Sequence, residues 1–130
     1  MKIKLNDLMF AMESYKKLDK EKFPLKTAYK LSKLYNSLEA EVKIYEETVR
    51  AALIKYSKKD ENGEPMIQKV EQGEKIEIDP ENQMICMKEI EDLNNNEIEI
   101  DDCNLSISDF GDLTISLDEI RGLIPFIKED

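Results

Sequence analysis

The sequence predicts an α+β fold: a helical hairpin built on one long helix, packed by a small antiparallel β-sheet and two short helices. Three observations carry this expectation. Between Pro24 and Ser57, Ala28, Leu31, Tyr35, Leu38, Val42, Tyr45, Val49, Ala52 and Tyr56 recur at alternating steps of three and four, the spacing of one helix face. Beyond Pro65 the apolar period falls to two, as in half-buried strands. Clusters of Gly, Pro, Asn and Asp separate these short segments. A length of 130 residues suffices for one core without disulfide or metal staples, so one domain over 1–130 is expected, with a helical hairpin at 1–59 and an acidic mixed part at 60–130.

In chain order, Ile3 to Leu5 is an extended start. Asn6 is then a candidate cap for a first helix whose inner side is Leu5, Leu8, Met12 and Tyr15. A few charged residues lead to Pro24, which suits the first position of the long helix because its missing N–H would be unpaired there. So short a connection implies antiparallel neighbours. Leu25, Leu34, Ile44, Leu53 and Ile54 widen the long stripe beyond a coiled-coil seam, and the first helix is too short to cover its far end.

Asp60-Glu61-Asn62-Gly63-Glu64-Pro65 reads as a turn. It fails as a calcium loop, since the sixth position is Pro65 where glycine is required. Met66 to Val70 and Lys75 to Ile78 around Gln72-Gly73 predict a hairpin. Asp79 as cap and Pro80 at the first position open a helix with Ile85 or Cys86, Ile90 and Leu93 inward, which Asn94-Asn95-Asn96 ends. Glu97 to Ile100 alternates as a strand. Leu105–Ile107 and Leu113–Ile115, on either side of Asp109-Phe110-Gly111-Asp112, predict a second hairpin. Ser116 and Glu119 form a capping box for a last helix with Ile120, Leu123, Ile124 and Ile127 on its apolar face, shortened or kinked by Gly122 and Pro125.

Net charge is −10 and unevenly placed: residues 1–60 carry 14 basic against 9 acidic residues (+5), and 61–130 carry 5 against 20 (−15). That acidity disfavours nucleic-acid phosphate. The lysines at 16, 17, 20, 22, 26, 30 and 33 form the one basic cluster, and an internal or intersubunit match to the acidic half is expected of it. No run approaches the ~20 apolar residues of a membrane span, and MKIKLNDL lacks a signal-peptide core, so a cytoplasmic protein is expected.

Catalytic chemistry finds little to stand on. There is no histidine, which removes Ser-His and Cys-His pairs and the usual zinc sites. Cys86 and Cys103 lack metal or redox spacing and read as free thiols. Asp101, Asp102, Asp109 and Asp112 are the remote candidates for a metal-dependent enzyme, but turns favour aspartate for local reasons. Tyr35, Tyr45 and Tyr56 read as core residues with their hydroxyls at the surface. No catalytic, cofactor or metal residue is expected. Glu97, Glu99, Asp101, Asp102, Asp109 and Asp112 are the candidate partner-binding residues, for a protein with a basic surface.

From Leu38-Glu39-Ala40-Glu41 through Ile54-Lys55-Tyr56, the turn Asp60 to Pro65, Gly73 with Ile76-Glu77-Ile78, Glu89 to Leu93, and Glu97-Ile98-Glu99-Ile100, the chain resembles a family of short proteins of phages and prophages of low-GC Gram-positive bacteria. The resemblance covers Leu38 to Asp101, about half the chain, and brings no established activity. It implies a phage-encoded protein in the host cytoplasm. Together with the missing chemistry, the expected function is stoichiometric binding of a host or viral protein, such as inhibition of a host or defence factor. The alternative is a virion or tail assembly component that oligomerises through the long helix.

Overall fold

A computed structural model describes all residues from 1 to 130. In chain order the elements are β1 (Lys2–Lys4), α1 (Leu5–Leu18), α2 (Leu25–Lys55), β2 (Ile67–Val70), β3 (Gly73–Ile76), α3 (Gln83–Asn94), β4 (Glu97–Glu99), β5 (Leu105–Ser106), α4 (Leu117–Ile120) and β6 (Ile127–Lys128). Tight 3-10 turns occupy Pro80–Asn82, Ile107–Phe110 and Arg121–Phe126. The fold class is α+β. Its strands form three separate two-stranded pairs: β1 with β4 and β2 with β3, both antiparallel, and β5 with β6, parallel. No helix is long and apolar enough to cross a membrane.

The chain divides into two compact units, Met1–Lys43 with Asn96–Asp130, and Ile44–Asn95. Sequence composition breaks at 59/60, whereas the packing breaks inside α2, at 43/44. A continuous helix carries no backbone mark where the cover on its face changes.

In the first unit, α1 follows β1 with no side-chain cap. The Leu5 N–H donates to the Asn96 carbonyl at 3.0 Å, which satisfies a first-turn donor and leaves Asn6 inside the helix instead of capping it. Tyr15 of α1 stacks on Tyr35 of α2, with ring centroids 4.6 Å apart. The short 19–24 connection makes the two an αα-hairpin. Leu31, Leu34, Leu38 and Val42 of α2 join Leu8, Ala11, Met12 and Leu18 of α1 in the core. Leu25 and Ile44 do not widen this stripe: both are exposed, and Ile44 stands about 200° around the helix from Val42.

The C-terminal segment closes that core. Gly122 lies so near α1 that a Cβ there would sit 2.3 Å from the Phe10 carbonyl oxygen, and its N–H donates to the buried Ser14 Oγ at 2.8 Å. Leu123 and Phe126 are the buried residues here, while Ile124 is half exposed.

The second hairpin expected around Asp109 does not form. Ile107–Phe110 coils into a 3-10 turn because Ser106 and Asp109 cap one another, the Ser106 N–H donating to Asp109 Oδ2 at 2.8 Å. Leu105 then pairs in parallel with Ile127, through a crossover long enough for a parallel connection.

In the second unit, the Asp60 carboxylate accepts from the N–H groups of Asn62 and Glu64 at 2.8 and 3.0 Å, and Gly63 takes φ +78°. The β2–β3 hairpin pairs Ile67 with Ile76 across a two-residue loop, Glu71-Gln72. Asp79 Oδ1 accepts from the Glu81 N–H at 3.1 Å and Pro80 follows it, as the sequence predicts. On α3, Cys86 takes the inward position and Ile85 is exposed. Tyr45 and Tyr56 are half-buried, their hydroxyls donating to Asn94 Oδ1 and Glu89 Oε1, both at 2.5 Å.

Candidate functional site

The six acidic candidates all belong to the first unit, and three of them make an ion pair within it: Glu99 with the Met1 amino group, Asp102 with Lys128 and Asp109 with Lys30. On the β1–β4 pair, Glu97 stands opposite Lys4 and Glu99 opposite Lys2, the cross-strand placement in which opposite charges stabilise each other. Asp102 is held by Lys128 and by the Asn104 N–H, and these bonds lower its carboxyl below the usual range. Asp109 is the most deeply used. Its Oδ2 accepts from Lys30 Nζ at 2.8 Å and from the Ser106 N–H, its carbonyl accepts from the buried Thr27 hydroxyl at 2.5 Å, and its side chain is only 10% exposed.

Asp109 therefore fastens the 104–110 segment to α2 and has little left to offer a partner. Asp101 and Asp112 remain exposed. No three Asp, Glu or Cys side chains come together in a group that could hold a metal ion.

Part of the charge contrast between the two halves of the sequence is thus matched inside this unit. Lys17 meets Asp118 at 3.0 Å and Lys30 meets Asp109, each a cation of the basic cluster with a carboxylate of the acidic half. With 12 basic and 16 acidic residues the first unit keeps a net −4, and the smaller second unit, with 7 and 13, keeps −6. The basic cluster also lines a cleft of about 580 Å³, where Lys26, Lys30 and Lys33 face Asp101, Asp102 and Cys103. Its two walls carry opposite charges.

The second unit differs in how little apolar side chain it buries. Fourteen of the fifteen buried apolar residues belong to the first unit, and Cys86 is the one in Ile44–Asn95. Burial raises the Cys86 thiol above its ordinary range. By contrast Ile44, Met66, Val70, Met84, Ile85 and Met87 are exposed, Met84 by 85% and Met87 by 63%.

Between α2 and β3 runs a groove of about 500 Å³, floored by Tyr45, Val49, Leu53 and Ile76. Its edge carries Glu46 and the Arg50–Glu74 pair, in which the guanidinium makes two bonds, at 3.0 and 3.4 Å, and lowers the Glu74 carboxyl below its usual range.

Sequence periodicity placed Tyr45, Val49 and Leu53 on the apolar stripe of α2 but did not show that the groove they floor stays open, nor that methionines of α3 are exposed. The signal that could have found the exposed methionines is Met84-Ile85-Cys86-Met87, four consecutive apolar residues in a helix with one inward face, so that some must point outward. Comparison with models of known families, with curated proteins and with solved structures finds no match to this chain.

Proposed function

We propose that this chain is a non-enzymatic interaction protein, phage-encoded as the resemblance implies, that acts by stoichiometric binding of a host or viral protein. The observation that carries the reading is the second unit, Ile44–Asn95: a net charge of −6, one buried apolar residue, and an apolar groove open to solvent. Contiguous uncovered apolar surface with a polar rim is the mark of a docking surface. The partner that fits is a protein offering an apolar protrusion flanked by basic residues. Charge of one sign around the contact would speed encounter and set partner choice more than it adds affinity.

Affinity capture by the immobilised full chain from host lysate, followed by binding of the purified captured protein, tests this. A partner is expected to be retained at low salt, less at moderate salt, and lost with Glu46→Lys at the rim of the groove. Retention of nothing at either salt, or equal retention by Glu46→Lys, overturns the reading. Assembly through the long helix as a virion component has less surface to use, since Leu31, Leu34, Leu38 and Val42 of its stripe are buried by their own chain.

A further inference from the structure

Between the end of α1, the turn that follows it and the start of α2 lies a cavity of about 190 Å³. Leu18 and Leu31, both buried, form its floor, and the half-buried Tyr15, Phe23 and Ala28 surround them. Each aromatic wall is braced by another ring: Tyr15 stacks on Tyr35 with centroids 4.6 Å apart, and Phe23 meets Phe110 edge-on at 6.1 Å. Those contacts fix both ring orientations ahead of binding. The volume suits one six-membered ring, since an apolar cavity of roughly 150 Å³ accepts benzene.

The polar part of the lining is one-sided in charge. Asp19, Glu21 and Ser32 complete the cavity, and no lysine or arginine lines it. Asp19 and Ser32 are exposed and Glu21 is half-buried, which puts these groups at the mouth. Neither carboxylate makes an ion pair within the chain. Of the nearby lysines, Lys17 is engaged by Asp118, while Lys16, Lys20 and Lys22 are exposed and stand outside the lining. The C-terminal end of α1 adds partial negative charge at the same place. Burial, and then the charge of Asp19, raise the Tyr15 hydroxyl above its ordinary range, so it stays neutral beside that carboxylate.

We propose that this cavity binds a small primary amine carrying one ring, with the ring on Leu18 and Leu31 between Tyr15 and Phe23 and the ammonium at the mouth against Asp19 and Glu21. The site belongs to the first unit, and the proposal does not rest on the reading of Ile44–Asn95 as a docking surface. The ring leaves water, while the charge stays at the solvent edge, meets two carboxylates and is attracted by the aromatic faces. A neutral molecule of the same shape gains the apolar part alone, and an anion meets two like charges.

Benzylamine is the probe, with benzyl alcohol and benzoate as neutral and anionic controls of the same size. The test is titration of the full, isotope-labelled chain at neutral pH and low salt, followed by its backbone amide resonances. Benzylamine is expected to shift Leu18, Phe23, Ala28 and Leu31 with a Kd on the order of 1 mM, as befits a ligand of so few atoms. Benzyl alcohol is expected to bind about fivefold more weakly, in keeping with two partly exposed charge contacts, and benzoate more weakly still. Asp19→Asn with Glu21→Gln should bring benzylamine down to the level of benzyl alcohol and leave benzyl alcohol unchanged. Ala28→Leu, which fills the cavity, should weaken both; the carboxylate variant, changed only at the mouth, decides the matter if Ala28→Leu fails to fold. Absence of saturable shifts with benzylamine, shifts centred outside the cavity, equal binding of the three probes, or wild-type binding by the folded carboxylate variant overturns the proposal.

Discussion

Asp109 shows at the scale of one residue how a carboxylate chosen from sequence as a binding group becomes part of the frame. Three chemical partners converge on it: the Lys30 ammonium, the N–H and hydroxyl of Ser106, and the Thr27 hydroxyl at its carbonyl. The Lys30 bond is the main cause that holds its carboxyl below the usual carboxylate range. A folded-state pKa below the unfolded one adds stability above the unfolded value, and that stability is lost as pH falls through the folded value. The first unit should therefore weaken on acidification below about pH 4, where unfolded aspartates take up protons. Asp109→Asn is expected to lower the melting temperature at neutral pH and to flatten the acid limb of the stability curve. Thermal melts of both proteins from neutral to acid pH check this, and parallel acid limbs would count against the Lys30 pairing.

At the scale of elements, the contact between α1 and the segment from Arg121 to Phe126 rests on the absence of a side chain. Helix backbones approach this closely only where one residue has no Cβ, and at Gly122 an added methyl would strike the Phe10 carbonyl, a backbone atom that cannot swing aside. Gly122→Ala is expected to cost about 3 kcal/mol, the upper part of the range for overpacking. Ser14→Ala leaves the Gly122 N–H buried without its acceptor, at about 1–3 kcal/mol. Denaturant melts of the two single variants and the double variant measure both terms. Because the two residues touch, their effects should combine to less than the sum of the single costs. Sequence reading treated Gly122 as a helix breaker, a purely local role. The same limit applied to the expected hairpin at Leu105–Ile115, where local alternation was genuine but a capping pair, Ser106 with Asp109, and a distant parallel partner, Ile127, gave the backbone better use of its hydrogen-bonding groups.

At the scale of the whole molecule, the two units hold very different shares of the buried apolar surface, the main source of folding free energy. Regions with few buried apolar contacts open at lower free energy than the core of the same chain. The cysteines report on this separately, with buried Cys86 in Ile44–Asn95 and half-buried Cys103 in the first unit. As urea is raised, Cys86 is expected to become reactive toward a thiol reagent at concentrations where Leu8 and Leu38, both fully buried, still hold the first unit folded. Mass spectrometry of labelled peptides, comparing Cys86 with Cys103 as the signal of the first unit, checks the order of events. Simultaneous loss of Cys86 protection and of the first unit's signal would mean that the two open as one cooperative body.

What the sequence determined by itself is what near neighbours decide. The three-and-four spacing specified α2, the alternation around Gly73 specified the β2–β3 hairpin, and Asp79 with Pro80 specified the turn that enters α3. Each of these rests on contacts within a few residues, so residue type and order carry the information. Tertiary structure alone decided which side of Met84-Ile85-Cys86-Met87 faces inward, where along α2 the packing changes from one unit to the other, and which carboxylates are consumed by lysines from the opposite half of the chain. Those outcomes depend on groups tens of residues away, whose approach is set by the folding of the whole chain and leaves no periodic trace in its order.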